Sequence, residues 1–302
     1  MMITHKHLRN VIEDIYSNGN EVTEILLTRL INEFRYSNLY IPAKRENGRL
    51  NFIIYDDEDL KITPLFTDLD EFRKFYKSAD IEVLNNSFEL YQNILKTSDI
   101  EGYILNPASE KYLFKKEFIL AIKNIPKTNF YSTNAYSEDE LKAIMKNLNN
   151  EELEGFISNP QNIGDYEALF ERLSNSRLLA LMISDTDLAP YMKDGVINQQ
   201  STGPLATMYM DNVGGSYAAL FTSESKIKDV NVRGYKYSQL VNLATLVNFV
   251  LCEDMEGIIL NPGSDNVLIS RLNLLMYSLG FERFANDERL CESMYYLFDI
   301  KI

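Results

Sequence analysis

Apolar residues recur at helical spacing in several stretches of the chain. Between Thr23 and Phe34, isoleucine, leucine and phenylalanine share one side while glutamate and arginine occupy the other, which predicts an amphipathic helix. The same spacing predicts a short helix within residues 1–20, ended by Ser17-Asn18-Gly19-Asn20. Further helices are predicted over Phe88–Leu95, Glu138–Leu148, Tyr166–Leu173, Leu240–Leu251 and Leu290–Leu297.

Short runs rich in β-branched and aromatic residues, separated by polar turns, predict strands. Leu39–Ile41 is predicted to be a strand that Pro42 ends, and Asp56-Asp57-Glu58-Asp59 the turn of a hairpin. Asp68, with Glu71 three residues later, predicts the N-cap and capping box of another helix. The remaining predicted strands are Leu50–Tyr55, Leu60–Thr67, Tyr103–Leu105, Phe130–Ala135, Leu178–Ile183, Ala206–Met210, Ser216–Thr222 and Phe298–Ile302. Their alternation with helices predicts an α/β (α+β) fold of mixed sheets with helices on their faces.

One phrase occurs twice in the chain. Glu101-Gly102-Tyr103-Ile104-Leu105-Asn106-Pro107-Ala108-Ser109 returns 155 positions later as Glu256-Gly257-Ile258-Ile259-Leu260-Asn261-Pro262-Gly263-Ser264, with seven of nine residues identical. The same offset places Leu65-Phe66-Thr67 on Leu220-Phe221-Thr222. A match of this length and register indicates an internal duplication.

The repeat predicts two tandem duplicated domains, 21–163 and 164–302, after an N-terminal helix or tail at 1–20 that has no counterpart in the second half. The segments before the repeat match at an offset of about 142, so the second domain should carry about 13 extra residues within Asp185–Gly203. A weaker third copy, Glu154-Gly155-Phe156-Ile157-Ser158-Asn159-Pro160, predicts one more strand framed by Glu-Gly and Asn-Pro.

A set of short apolar patterns gives the chain a family resemblance. They are Ile41-Pro42 at the end of a strand, Pro64-Leu65-Phe66-Thr67 before a helix, Leu105-Asn106-Pro107 with Ser109 nearby, and Leu260-Asn261-Pro262-Gly263-Ser264 in the second copy. In these patterns the chain resembles the SseB family, named for enhanced serine sensitivity, whose N-terminal domain is a small α/β unit. It departs from the family pattern at Ala108, where glycine is usual, and at Ala219 in place of Pro64. The resemblance covers most of each half and implies a fold alone, because the family has no established biochemical activity.

Composition narrows the classes of partner and chemistry. The 44 acidic and 30 basic side chains give a net charge of −14, which disfavours nucleic acid and membrane surfaces and favours a basic protein. The two cysteines suggest no disulfide framework, and the only histidines are His5 and His7, so we expect no metal site and no catalytic triad. No nucleotide-binding glycine motif is present, and we expect no cofactor. No signal-peptide pattern and no apolar run of roughly 20 residues occurs, so we expect a cytoplasmic protein.

The repeated phrase supplies the first candidate binding residues. Asn106 and Asn261 follow buried strands, at the edge where open α/β sheets bind ligands, and Ser109 and Ser264 come three residues later. A structural interpretation is favoured: glycine turns the chain into the strand, asparagine forms the turn that leaves it, and proline prevents the strand from continuing.

Acidic clusters supply the remaining candidates. Asp185 and Asp187 flank Thr186 as a pair of carboxylates of the kind that holds magnesium, although a surface loop is the favoured interpretation. The run Asp56–Asp59 lacks the glycine and the distal glutamate of a calcium-binding loop, and a solvated turn is expected there.

The function that fits these observations best is a non-enzymatic binding protein. Its acidic surface, with some of the 19 tyrosines, would contact a protein partner, possibly a basic one. The alternative is a small-molecule binder or an enzyme with a site between the two duplicated domains, near Asn106, Asn261 and the segment Asp185–Gly203. Catalysis is the less favoured of the two, because no reactive constellation is found.

Overall fold

A computed structural model divides the chain into two compact units. Unit 1 comprises residues 1–125 with 251–254, and unit 2 comprises 126–250 with 255–302. The structure describes residues 5–57, 60–77, 80–122, 138–184, 196–198, 205–207, 209–212, 215–228, 230, 237–252, 254–278 and 296–299. Helices and mixed sheets occur in both units, which confirms the predicted α/β class. The division falls near residue 125 rather than at the predicted 163.

Unit 1 is built from two small sheets with helices around them. Its elements are α1 (Lys6–Ser17), α2 (Glu24–Tyr36), β1 (Leu39–Glu46), β2 (Arg49–Phe52), β3 (Tyr55–Asp57), β4 (Leu60–Leu65), α3 (Leu69–Phe75), β5 (Ile81–Asn86), α4 (Phe88–Thr97), β6 (Gly102–Leu105), β7 (Tyr112–Lys115) and α5 (Lys116–Ala121). One sheet has the order β2-β1-β5 and the other β3-β4-β6-β7, with β4 and β6 parallel. A bridge between Tyr40 and Phe66 joins the two sheets.

Unit 2 carries one larger sheet. Its elements are α6 (Glu138–Lys146), α7 (Glu151–Ile157), α8 (Tyr166–Asn175), β8 (Leu178–Ser184), β9 (Val196–Asn198), β10 (Leu205–Thr207), β11 (Tyr209–Asn212), β12 (Gly215–Phe221), α9 (Glu224–Ile227), β13 (Tyr237–Val241), α10 (Leu243–Cys252), β14 (Gly257–Leu260), β15 (Val267–Ser270), α11 (Arg271–Asn273), a π-helical turn (Leu274–Ser278) and β16 (Tyr296–Asp299). The strand order is β15-β14-β12-β8-β13-β16-β9, with β11 paired to β12 and β10 to β8. The strands β12 and β14 are parallel.

Strand pairing recurs between the units at the offset of the repeated phrase. In unit 1 Ile62 pairs with Gly102, and in unit 2 Tyr217 pairs with Gly257, each partner 155 positions later. The glycine has a steric reason: a Cβ on Gly102 would lie 2.6 Å from the carbonyl oxygen of Phe114, and one on Gly257 would lie 2.1 Å from that of Ile269. The Glu-Gly part of the phrase therefore lets β6 and β14 approach their neighbours closely. Duplication of the whole domain remains a prediction.

The first helix belongs to the core of unit 1. Its apolar face, Leu8, Val11, Ile12 and Ile15, is buried with residues of α2, α4 and the sheet. A helix was predicted there, and the structure confirms it. Because these side chains fill the core, the segment is part of the unit rather than a tail.

Two strand predictions in unit 1 are wrong. The strand β1 continues through Pro42 to Glu46, because the proline lies where β1 changes partner from Phe66 to β2, and its carbonyl still accepts from the Ile53 amide at 3.2 Å. The predicted strand Leu50–Tyr55 is divided, since β2 pairs with β1 and only β3 pairs with β4. The turn between β1 and β2 is Asn47-Gly48, both with positive φ (52° and 78°). Positive φ at both residues is typical of a type I′ turn, whose backbone twist matches that of the two hairpin strands.

The predicted third copy of the phrase is wrong, because Glu154–Ile157 forms the end of helix α7 and no strand. Leu153 and Ile157 are its buried residues, and Asn159-Pro160 lies in the turn beyond it. The first turn of α7 contains three acidic residues, Glu151, Glu152 and Glu154, whose charges stabilise the positive end of the helix dipole. Apolar residues at i and i+4 outweigh the local Glu-Gly and Asn-Pro similarity.

Three further segments of unit 2 differ from the sequence expectation. Residues 240 and 241 end strand β13 before α10 begins, and Leu297 lies in strand β16 rather than in a helix. The pairs Leu39–Asn86 and Leu178–Val241 relate β1 to β8 at an offset of 139, which makes the extra length of unit 2 16 residues instead of about 13. The predicted strand Phe130–Ala135 lies outside the described residues. Within the described ranges, no helix is long and apolar enough to span a membrane.

Two buried threonines in β4 and just beyond it differ in their hydrogen bonding. The hydroxyl of Thr63 is fully buried and has no partner among the described residues. The hydroxyl of Thr67, equally buried, donates to Asp68 at 3.1 Å and accepts from Asn106 at 3.0 Å. A buried hydroxyl without a partner lowers stability, whereas a bonded one does not.

We predict that Thr63→Val raises the free energy of unfolding by about 1 kcal/mol, because the substitution keeps the shape and removes an unpaired polar group. The matched variant Thr67→Val should lower it by about 1–3 kcal/mol, since it leaves buried partners unpaired. Denaturant unfolding followed by circular dichroism measures both. Equal effects of the two substitutions would contradict the assignment of their hydrogen bonds.

Candidate functional site

The carboxyl ends of two parallel strands meet in each unit, and the candidate residues lie there. We define the unit 1 junction as Thr67, Asp68, Asn106, Ser109 and Glu110, which follow β4 and β6. The unit 2 junction is Thr222, Ser223, Asn261, Ser264 and Asp265, which follow β12 and β14 at the offset of 155.

The side chain of Asn106 connects the two strand ends of unit 1. Its Oδ1 accepts from the Thr67 amide at 3.0 Å, and its Nδ2 donates to the Thr67 hydroxyl at 3.0 Å and to Glu110 at 2.7 Å. Its own amide donates to Leu65 at 2.9 Å. The residue is fully buried and has a φ of 42°, a conformation that asparagine tolerates better than most residues. Both side-chain donors are therefore engaged inside the protein.

Asn261 repeats this arrangement in unit 2. It accepts from the Thr222 amide at 2.9 Å and donates to the Thr222 hydroxyl at 2.9 Å and to Asp265 at 2.8 Å. It is also fully buried, with a φ of 48°, and its amide donates to Leu220 at 2.8 Å. The repeated Asn-Pro phrase is thus a hydrogen-bonded connection between neighbouring strands in both units.

Three carboxylates lie buried around the unit 1 junction, and two cations face them. The side chains of Asp68, Glu71 and Glu110 are 7%, 2% and 5% exposed. Arg9, from α1, lies 2.5 Å from Glu110, 3.5 Å from Glu71 and 3.7 Å from Asp68. Lys74, from α3, lies 2.5 Å from Glu71. Burial lowers the pKa of Arg9, but the three carboxylates outweigh it and raise that pKa.

Glu71 takes a different role from the predicted one. Asp68 is the N-cap of α3 as predicted, and its Oδ1 accepts from the amides of Asp70 and Glu71, both at 2.9 Å. The Glu71 carboxylate instead accepts from the Ser109 hydroxyl at 2.6 Å and from Lys74. The capping box is therefore half formed, because a serine and a lysine attract the carboxylate that would close it.

The unit 2 junction has a different charge arrangement. Lys226, at the position that corresponds to Glu71, donates to Asp265 at 2.8 Å. Glu154, from α7, accepts from the hydroxyls of Thr222 and Ser223, the latter at 3.1 Å. Burial raises the pKa of Asp265, but hydrogen bonds from Lys226 and Asn261 outweigh it, and that pKa lies below its ordinary value.

The candidate residues from the sequence are placed as follows. Asn106 and Ser109 come together in unit 1, and Asn261 and Ser264 in unit 2, where the Ser264 hydroxyl donates to the Asn261 carbonyl at 3.3 Å. Both serines are exposed. Asp185 and Asp187 lie outside the described residues. A binding role for all six stays a prediction.

Sequence reasoning missed the charged residues of both junctions, namely Arg9, Glu71, Glu110, Glu154, Lys226 and Asp265. One signal was available, because the position after the repeated phrase is acidic in both copies. The others come from distant segments, and no local pattern relates them. Among the described residues, no group of three or more metal-ligating side chains has a geometry that could hold a metal ion.

Comparison with protein-family models, with curated proteins and with solved structures finds no match for this chain. The resemblance to the SseB family therefore rests on the sequence patterns alone and remains a proposal.

Asn106 provides a direct test of the junction. Asn106→Gly keeps the positive φ but removes the side-chain hydrogen bonds, and we expect a loss of about 2–4 kcal/mol in the free energy of unfolding. Asn106→Ala should lose about 1–2 kcal/mol more, since alanine disfavours the left-handed conformation. Chemical denaturation of both variants measures the two contributions. Equal stability of the two variants would contradict a conformational contribution.

The lowered pKa of Asp265 predicts acid sensitivity. A carboxyl whose folded pKa is lowered contributes stability above its unfolded value, about 3.9, and loses it as the pH falls through the folded value. The Asp265→Asn variant should therefore lose less of its unfolding free energy on acidification than the parent protein does. The Lys226→Met variant should also lose less than the parent. Urea unfolding at a series of acidic pH values measures this. Unchanged pH dependence in both variants would contradict the assigned cause.

Proposed function

We propose that this chain is a non-enzymatic binding protein that contacts a protein partner through an exposed aromatic surface of unit 1. The carboxylates of the unit 1 junction are all paired, and both donors of its buried asparagine are engaged, so the strand ends offer no reactive group of the usual kinds. The observation that carries the proposal is the aromatic surface itself.

The aromatic surface consists of Tyr55, Phe75 and Tyr76, on β3, α3 and the residue after it, and the exposed Ile54 comes directly before Tyr55 in the chain. Ile54 is 43% exposed, and Tyr55 and Phe75 are each 37% exposed. The ring of Phe75 lies 6.0 Å from that of Tyr55 and 5.0 Å from that of Tyr76. These side chains form a group rather than isolated exposed residues, which favours a contact site.

The rings are held in place before any partner arrives. The Tyr55 and Tyr76 hydroxyls are 2.7 Å apart, and Phe75 lies 6.1 Å from the fully buried ring of Phe66. Burial raises the pKa of Tyr76, and the hydrogen bond with the Tyr55 hydroxyl raises it further, so the Tyr76 phenol stays protonated. A fixed aromatic group loses little conformational entropy on binding, and this is the usual chemistry of an interface core.

Charge favours a basic occupant for this surface. The sequence directly after Tyr55 is Asp56-Asp57-Glu58-Asp59, and the whole chain carries a net charge of −14. Of the cations nearest to it in the chain, Lys61, Arg73 and Lys74 are paired with Asp99, Asp70 and Glu71, and Lys77 donates to the Arg73 carbonyl at 3.0 Å. We therefore assign to this surface a protein segment that presents aliphatic side chains beside lysine or arginine.

The remaining parts of the proposal come from the sequence. The SseB resemblance contributes a fold and no activity, which agrees with a role in binding. We place this binding in the cytoplasm, as the cysteine pattern suggests.

The test uses Ile54→Lys, which places a positive charge on the exposed residue directly before Tyr55. A display library of short random peptides is selected against the full chain, and the affinities of the enriched peptides are measured by fluorescence polarisation. We expect the selected peptides to be rich in basic and aliphatic residues, and Ile54→Lys to weaken their binding at least about tenfold.

Ile25→Lys is the matched control, because Ile25 is an isoleucine of the same unit that is 57% exposed and lies outside the aromatic surface. It should leave the affinity unchanged, and raising the salt concentration should weaken the parent complex. Selection of acidic peptides, or equal effects of the two substitutions, would count against this surface.

A further inference from the structure

Helices α1 and α7 occupy corresponding places in the two units. The N-cap of α1 is His5, whose Nε2 lies 2.9 Å from the carbonyl oxygen of Asn38, the residue before β1. The N-cap of α7 is Asn150, whose Nδ2 donates at 2.8 Å to the carbonyl of Arg177, the residue before β8. Each helix is therefore anchored through its N-cap side chain to the start of the first strand of its unit. By these contacts α7 is the counterpart of α1, although the sequence repeat indicates none.

The apolar anchors of the two helices also correspond. Three residues after the N-cap stand Leu8 in α1 and Leu153 in α7, each 1% exposed. Seven residues after it stand Ile12 and Ile157, 0% and 2% exposed. Leucine and isoleucine thus recur at the same two positions, one helical turn apart. Apolar packing alone therefore does not distinguish α1 from α7.

The residue four positions after the N-cap differs in charge. It is Arg9 in α1 and Glu154 in α7, and each reaches the junction of its own unit. The side chains around Arg9 and around Glu154 also differ in charge, and in each unit they suit the helix residue that contacts them. Arg9 lies beside three buried carboxylates, whereas Glu154 accepts from two hydroxyls of a junction whose Asp265 is paired with Lys226.

We infer that this reversed charge determines which helix docks on which unit. If α7 docked on unit 1, Glu154 would be placed among Asp68, Glu71 and Glu110, and if α1 docked on unit 2, Arg9 would be placed beside Lys226. A like charge in a partly buried site is strongly unfavourable, because neither group regains its lost hydration. The charges therefore supply the discrimination that the similar N-caps and apolar anchors lack. This inference is independent of the proposed binding function.

The experiment follows amide hydrogen exchange of the full chain by mass spectrometry, which reports the docking of each helix separately. Arg9→Glu should speed exchange in Lys6–Ser17 about tenfold or more and leave Glu151–Ile157 unchanged. Combining Arg9→Glu with Asp68→Ser and Glu71→Lys gives unit 1 the charge arrangement of unit 2. Serine remains a good N-cap at position 68, and the triple variant should regain most of the lost protection.

Two controls separate charge from general damage. Arg29→Glu reverses an arginine of the same unit whose exposure, 27%, is close to the 29% of Arg9, but which pairs with the exposed Asp14 of α1 at 2.7 Å, and it should change exchange in Lys6–Ser17 by less than about twofold. If Arg9→Glu alone fails to fold, the neutral pair Arg9→Gln and Glu71→Gln replaces it, and the second substitution should partly restore protection lost by the first. Additive losses in the triple variant and in the neutral pair would overturn the inference, as would unchanged exchange in Arg9→Glu.

Discussion

Both units depend on one buried amide that connects the ends of two parallel strands. At the point where β4 and β6 finish, the backbone amide of Thr67 has no further strand to pair with, and a buried amide needs an acceptor. Asn106 supplies that acceptor and uses its two donors on the Thr67 hydroxyl and on Glu110. The left-handed backbone of Asn106 makes this geometry possible. Asn261 performs the same connection in unit 2.

The charged residues around each junction follow from that amide. Glu110 accepts from Asn106 and is buried, so it requires a cation, and Arg9 of α1 provides it. The N-terminal helix is consequently attached to the sheet by an ion pair as well as by its apolar face. In unit 2 the corresponding carboxylate, Asp265, accepts from Lys226 of α9, and α7 contributes Glu154, which accepts from the hydroxyls of Thr222 and Ser223. One hydrogen-bonding scheme therefore supports two opposite charge arrangements.

Much of the fold could be predicted from the sequence, because the signals that succeeded are local. Apolar spacing predicted α2, α4 and α8, and the repeat with seven of nine identical residues predicted the strands β6 and β14. The interpretation of the repeated Asn-Pro as a structural turn agrees with the hydrogen bonds that it forms. Asn47-Gly48 is a strong local hairpin signal, and it explains why β2 pairs with β1 rather than with β4.

The predictions that were wrong or missing depend on tertiary contacts, which a local sequence pattern does not show. Glu154–Pro160 resembles the repeated phrase in letters, yet burial of Leu153 and Ile157 against the unit makes it helical, which is a tertiary effect. The ion pairs of Arg9 join residues that are between 59 and 101 positions apart in sequence, so no spacing rule relates them. Glu71 and Lys226 have opposite charges at corresponding positions, and this correspondence is seen only when the strand registers of the two units are compared.

The proline after each junction asparagine also affects how the protein ages chemically. Asparagine deamidates when the backbone nitrogen of the next residue attacks its side-chain carbonyl, and a proline nitrogen carries no hydrogen to lose. Asn106 and Asn261 are followed by Pro107 and Pro262, so the two amides on which the strand ends depend are shielded from this reaction. The exposed Asn18 and Asn47 are each followed by glycine, the neighbour that hinders the attack least. Chemical damage during long storage should thus begin at the turns after α1 and between β1 and β2, and spare the structural amides.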